Sequence, residues 1–97
     1  MTETEFLESL EDESPPESLS GPLQALWFDK NGDWDQAHRI VQDIPTSDAS
    51  WVHAYLHREE GDLWNARYWY GRAGRPESKI TLEAEWSEIL QALLGKD

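Results

Sequence analysis

The sequence predicts an all-α protein: two tandem antiparallel helical hairpins followed by a C-terminal capping helix, about five helices in all. Three observations carry this expectation. Apolar residues recur at helical spacing in five segments, each segment ends on Gly or Pro, and one turn-and-cap pattern occurs twice, 29 residues apart.

The elements follow in order. Residues 1–19 read as an acidic, flexible tail and residues 20–97 as the helical repeat domain. The first 20 residues hold seven acids, no Lys or Arg, and the Pro15-Pro16 pair; such a segment buries too little apolar area to offset its ordering entropy. Phe6, Leu7 and Leu10 interrupt it as a small apolar island, which gives the alternative of a short helix docking on a partner or on the protein's own groove. Ser20-Gly21-Pro22 supplies a cap with Pro in the first turn, and Leu23, Leu26 and Trp27 follow at helical spacing. Asn31-Gly32 ends that helix. Asp33 caps the next one, with Gln36 three residues on, and Trp34, Ala37, Val41 and Ile44 form its apolar stripe before Pro45.

The pattern then repeats. Ser47 stands as the cap of a segment carrying Trp51, Val52, Tyr55 and Leu56. Gly61 ends it, Asp62 caps the next, and Leu63, Ala66, Tyr70 and Ala73 form a stripe before Gly74 and Pro76. A shift of 29 residues superposes Ala25 on Ala54, Gly32 on Gly61, Asp33 on Asp62 and Ala37 on Ala66. Glycine recurs where a chain must turn and alanine where helices must approach closely, the demands of a helical hairpin. Leu82, Trp86, Ile89, Leu90 and Leu93 mark the last helix, closed by Gly95.

Composition narrows the function classes. With no cysteine among the 97 residues, a disulfide or thiolate metal site is excluded. Core stabilisation falls to six Trp, three Tyr and two Phe. A net charge of −12 opposes nucleic-acid and anionic-membrane binding. Outside the first 20 residues the balance is milder, with thirteen acids against eight bases. No apolar run reaches the length of a membrane span and no secretory signal is seen, so a cytoplasmic location is the default expectation.

The run Gly61-Asp62-Leu63 through Ala66, Tyr70 and Ala73 to Pro76 resembles the second half of a tetratricopeptide repeat, and Gly32-Asp33-Trp34 through Ala37, Val41 and Ile44 resembles a second copy. The resemblance covers residues 22–76. The stretch from Trp51 to Pro76 is also similar to small bacterial proteins of uncharacterised activity. The tetratricopeptide resemblance implies stacked hairpins that bind a peptide or protein in a concave groove.

Two constellations bear chemistry. His53 and His57 share one helix side at i, i+4, the spacing that lets two imidazoles grip one metal, with Glu60 close by and His38 able to reach across from the other hairpin. Arg67-Tyr68-Trp69-Tyr70-Gly71-Arg72-Ala73-Gly74-Arg75 mixes bases with aromatics and suits an anionic partner. Ser50 lies three residues before His53 but no orienting acid is evident, so no catalytic constellation and no cofactor is expected. The favoured function is therefore a protein- or peptide-binding adaptor. Its contact surface comprises Trp51, His53, Tyr55, His57, Arg58, Arg67, Tyr68 and Arg72, and its partner is a protein or acidic peptide, the chain's own N-terminal tail included. The alternatives are a metal or small-molecule site on His53 and His57, and homodimerisation through a surplus aromatic face.

Overall fold

The computed structural model describes residues 1–96 and contains six helices: α1 (Glu3–Ser9), α2 (Gly21–Lys30), α3 (Trp34–Gln42), α4 (Ser47–Glu59), α5 (Leu63–Ala73) and α6 (Leu82–Leu94). There is no strand among the described residues.

The α2–α3 and α4–α5 turns are two copies of one geometry. Gly32 and Gly61 have φ of +85° and +86°, the left-handed region that costs other residues roughly 1–2 kcal/mol. The Gly32 N–H donates to the Asp29 carbonyl and the Gly61 N–H to the Arg58 carbonyl, both at 3.0 Å. The Asp33 N–H then reaches the Phe28 carbonyl and the Asp62 N–H the His57 carbonyl, both at 2.9 Å. Every partner in the second turn is the first turn's partner shifted by 29 residues. The carboxylates of Asp33 and Asp62 accept from the backbone of Gln36 and Asn65, satisfying N–H groups that the helix start leaves open.

Three local expectations change. Ser20 holds the cap position of α2 but makes no side-chain cap bond, because the Pro in the first turn removes one of the donors it would serve. Thr46, not Ser47, caps α4 by accepting from the Ala49 N–H. Asn31 stays at negative φ, so Gly32 alone carries the left-handed step.

Packing follows the small residues. Ala25, Ala37, Ala54 and Ala66, the recurring alanines, have no exposed surface. Helix α2 packs most closely on α3 and α4 on α5, while α3, α2 and α6 also lie against α4. As a result every residue from Ala49 to His57 is buried. The stripes are less regular at the periphery. Leu63 is 45 % exposed and Leu82 36 %, because each stands in the first turn of its helix, beyond the reach of a covering neighbour.

The sixth helix comes from the segment read as a tail. A capping box joins Thr2 and Glu5 at the start of α1. Phe6 is fully buried and lies 6.0 Å from the Trp86 ring of α6, and the Trp27 indole N–H donates to the Ser9 carbonyl at 3.2 Å. A radius of gyration of 12.3 Å matches the roughly 12.5 Å expected for a compact chain of this length, so the N-terminal segment lies folded back on the body.

One buried carboxylate ties the C-terminal half together. Glu85 has no exposed surface, and four bonds from three other side chains satisfy it. Tyr70 Oη donates to its two oxygens at 2.8 and 2.7 Å, Trp51 Nε1 donates at 3.2 Å, and Arg58 Nη1 donates at 2.9 Å. Burial, then the contact with Glu85, pushes the Tyr70 hydroxyl pKa far up, so it remains a donor at any physiological pH.

Two substitutions measure these contributions. Glu85→Ala strands Arg58 and Tyr70 without their acceptor and is expected to cost about 3–5 kcal/mol in urea unfolding. Phe6→Ala is expected to cost about 3–5 kcal/mol as a core cavity; a loss below about 0.5 kcal/mol would show that α1 adds nothing to the core.

Candidate functional site

The densest group of chemically active side chains lies where α3 crosses α4. Asp33 and the left-handed Gly32 fix where α3 begins, and this registers Trp34 and His38, one turn apart, against α4. The Trp34 indole N–H donates across the interface to the Leu56 carbonyl at 2.8 Å. On α4, His53 and His57 stand on successive turns of the same side.

His38 and His53 meet with their Nε2 atoms 3.1 Å apart. A ring nitrogen from each of His38, His53 and His57 lies within 4.8 Å of those of the other two. The His57 Nδ1 contacts the Glu60 carboxylate at 2.9 Å, which leaves its Nε2 free and fixes the ring's orientation. Two indoles enclose the three rings. Trp34 stacks on His38 at 4.9 Å between centroids, and Trp69 of α5 stacks on His53 at 3.8 Å.

Burial disfavours the charged form of His38 and His53. Desolvation, then the neighbouring His38 and His57, lowers the His53 pKa from its ordinary 6.5 to about 3. Desolvation, then His57, also lowers that of His38. Neutral imidazoles present lone pairs, the form a metal ion requires. His53 Nδ1 is buried with no hydrogen-bond partner. His53 Nε2 turns to His38 rather than to Ser50, so no Ser–His couple forms.

The eight residues expected to form one contact surface divide into two groups. Trp51, His53, Tyr55 and His57 are all at most 7 % exposed, so they present no surface to a partner. The reason is that α4 is covered on all sides, which a helical repeat alone does not reveal. Arg58 is committed to Glu85 and to the Ile80 carbonyl. Only Arg67, Tyr68 and Arg72 face solvent, on α5. Among the described residues the acids of α1 make no ion pair with these arginines; Arg67 pairs instead with Glu77 at 3.2 Å.

Three further participants carried readable signals. Trp34 precedes His38 by four residues, the same spacing as His53 and His57. Trp69 follows Ala66 by three and so leans to the inner side of α5. Glu85 lies three residues after Leu82 and four before Ile89, inside the apolar stripe of α6, where an unpaired acid would be excluded.

A carboxylate pair sits at the same C-terminal end of α4, one member buried and the other at the surface. Asp29, near the end of α2, is buried against Glu59. Desolvation raises both carboxyl pKa values, and the contact with Asp29 raises that of Glu59 further, so the pair retains a shared proton above the usual carboxylate range.

No family model, no curated protein and no solved structure matches this chain. Its chemistry therefore has to be read from the geometry.

Opposite titrations define a pH profile for the metal-free protein. The lowered pKa of His53 contributes stability above about 6.5 that is lost as pH falls towards about 3. The raised pKa values of Asp29 and Glu59 contribute stability at acid pH that is lost as pH rises past the ordinary Glu59 value of 4.5. Urea midpoints should thus peak in mildly acidic buffer. Each unopposed group should give a slope of at most about 1.4 kcal/mol per pH unit, and Asp29→Asn should flatten the alkaline limb.

Proposed function

We propose that this protein binds a divalent transition-metal ion, zinc in the first instance, through His38, His53 and His57. The observation that carries the reading is the convergence of three ring nitrogens from two helices within 4.8 Å of one another. Tetrahedral zinc with bonds of about 2.05 Å to nitrogen holds its ligands about 3.3 Å apart. The 3.1 Å between His38 and His53 is close to that spacing, and His57 offers a third ring nitrogen within 4.8 Å of both. The Glu60 carboxylate on the far nitrogen of His57 supplies the outer support that metal-bound histidines usually have. Imidazole donors suit zinc, copper or nickel and disfavour magnesium and calcium.

In this reading the ion acts as a staple between α3 and α4. We read those elements as parts of two antiparallel hairpins of tetratricopeptide-like form, with α6 as their cap; the matched Gly32 and Gly61 turns support that view. A binding role fits better than catalysis, because the carboxylate among their contacts, Glu60, is engaged with the His57 ring and two of the three rings are buried. The adaptor role expected from the sequence is confined to the exposed face of α5.

Calorimetry and metal analysis of tag-free protein test the proposal. The expected result is one zinc per chain, with stability raised by about 2.7 kcal/mol when free zinc is a hundred times the Kd. That gain corresponds to a Tm increase on the order of 10 °C for a domain of this size. His38→Ala, which alters the least buried of the three ligands, should abolish the zinc-dependent shift, on top of a metal-free Tm lowered by the loss of the His53 partner. Cobalt in place of zinc should give the intense visible bands of a low-coordinate site. Sub-stoichiometric metal together with an unmoved Tm would remove the reading.

A further inference from the structure

We infer that the outward face of α5, built on Leu63, Trp64, Arg67, Tyr68 and Arg72, is a docking surface for an acidic amphipathic helix of a partner protein. This inference is independent of the metal site.

The duplicated architecture shows why the face is bare. A shift of 29 residues places Trp34 on Leu63 and His38 on Arg67. On α3 these positions are covered by α4: Trp34 bonds to the Leu56 carbonyl, and His38 meets His53. The helix that follows α5, α6, packs against α4, α2 and α1 instead, and the same positions on α5 stand open, with Leu63 45 % exposed and the Arg67 side chain 55 % exposed. A helix seated on α5 as α4 sits on α3 would cover them.

The uncovered side chains are those that bind rather than those that solubilise. Trp64 is 82 % exposed and Tyr68, four residues on, is 55 % exposed. Together with the Arg67 stem they line an apolar hollow of about 290 Å³, sized for a large side chain. Exposed Trp, Tyr and Arg in one patch are the residue types that dominate interface energies. Arg72 lies against Tyr68 and Trp69, with its Nη1 donating to Tyr68 Oη at 3.1 Å, so its guanidinium is already held in place at the edge of the patch.

Charge identifies the partner. In a chain of net charge −12, α5 (LWNARYWYGRA) carries two arginines and no acid, whereas each of the other five helices contains at least one. Among the described residues the only acid paired with its arginines is Glu77, and that surface pair is worth little and is readily exchanged. From Leu63 to Arg72 the face runs about 13 Å, some two and a half turns of an opposing helix. The partner helix should therefore present an apolar anchor for the Trp64–Tyr68 hollow and carboxylates one turn to either side, facing Arg67 and Arg72.

Gly71 makes the test clean. It lies within the face at negative φ, and a Cβ built there meets nothing within 4 Å. Gly71→Glu thus places a carboxylate in the patch without steric cost and, as a Gly replacement inside a helix, should not lower the Tm. The probes are three fluorescein-labelled helical peptides of equal length: one with Glu flanks and a Phe anchor, one with Glu flanks and Ala in place of Phe, and one with Lys flanks and the Phe anchor. Fluorescence anisotropy should show micromolar binding of the first only, weakened by salt. Gly71→Glu, Arg67→Glu and Trp64→Ala should each weaken it about tenfold or more. Equal binding of the Lys peptide, unchanged affinity of the Gly71→Glu variant, or a Kd for the first peptide weaker than about 1 mM would overturn the inference. So would tighter binding of a single-stranded oligonucleotide, or a dimer in sedimentation that Gly71→Glu dissociates, since a second copy would then be the occupant.

Discussion

Helix α4 is enclosed on every side, and most of what is distinctive in this protein follows from that constraint. A helix surrounded by α2, α3, α5 and α6 has no solvent-facing stripe for its polar residues. Yet α4 carries Trp51, His53, Tyr55, His57 and Arg58. Each buried polar atom must then find a partner inside or leave an unpaired group that costs about 1–3 kcal/mol. Trp51 and Arg58 find Glu85, His53 finds His38, and His57 finds Glu60. Helices α3 and α6 are thereby tied to α4 by directed bonds as well as by apolar contact. Such bonds specify an arrangement more sharply than burial alone, which any apolar packing would satisfy.

The same enclosure explains why aromatic residues are so abundant in so small a chain. A domain of this size buries a limited share of its surface, and it has no disulfide to compensate. Large side chains raise the buried area per residue. Four of the six tryptophans also use their single N–H across an interface: Trp27 to Ser9, Trp34 to Leu56, Trp51 to Glu85 and Trp86 to Leu26. Each of these bonds joins different segments, so the indoles both fill the core and set the registration of the helices. Trp64 does neither, standing 82 % exposed, and this contrast marks α5 as the face with a different task.

The histidines sit where α3 crosses α4, so any ion they hold acts on the relation between two helices and not on one helix alone. Trp69 connects this centre to the outer face: one side of its indole stacks on His53, while Arg72 and Tyr68 approach it from α5 itself. The metal reading and the docking face thus meet at a single ring, although they rest on separate observations.

Local signals determined the helices. Left-handed glycines, Asp caps and apolar spacing act within a few residues, so the helical segments from α2 to α6, the paired turns and the buried alanines were all legible in the order of the amino acids. Pairwise spacing also drew attention to His53 and His57, with His38 as a distant third. What the linear pattern left undetermined was which sides of α4 are covered. Burial is a property of all the neighbours of a helix together, and a residue whose own periodicity is satisfied carries no record of who faces it. For that reason only the tertiary structure turned Trp51, His53, Tyr55 and His57 inward, folded Phe6 onto Trp86, and left the basic aromatic face of α5 without a neighbour.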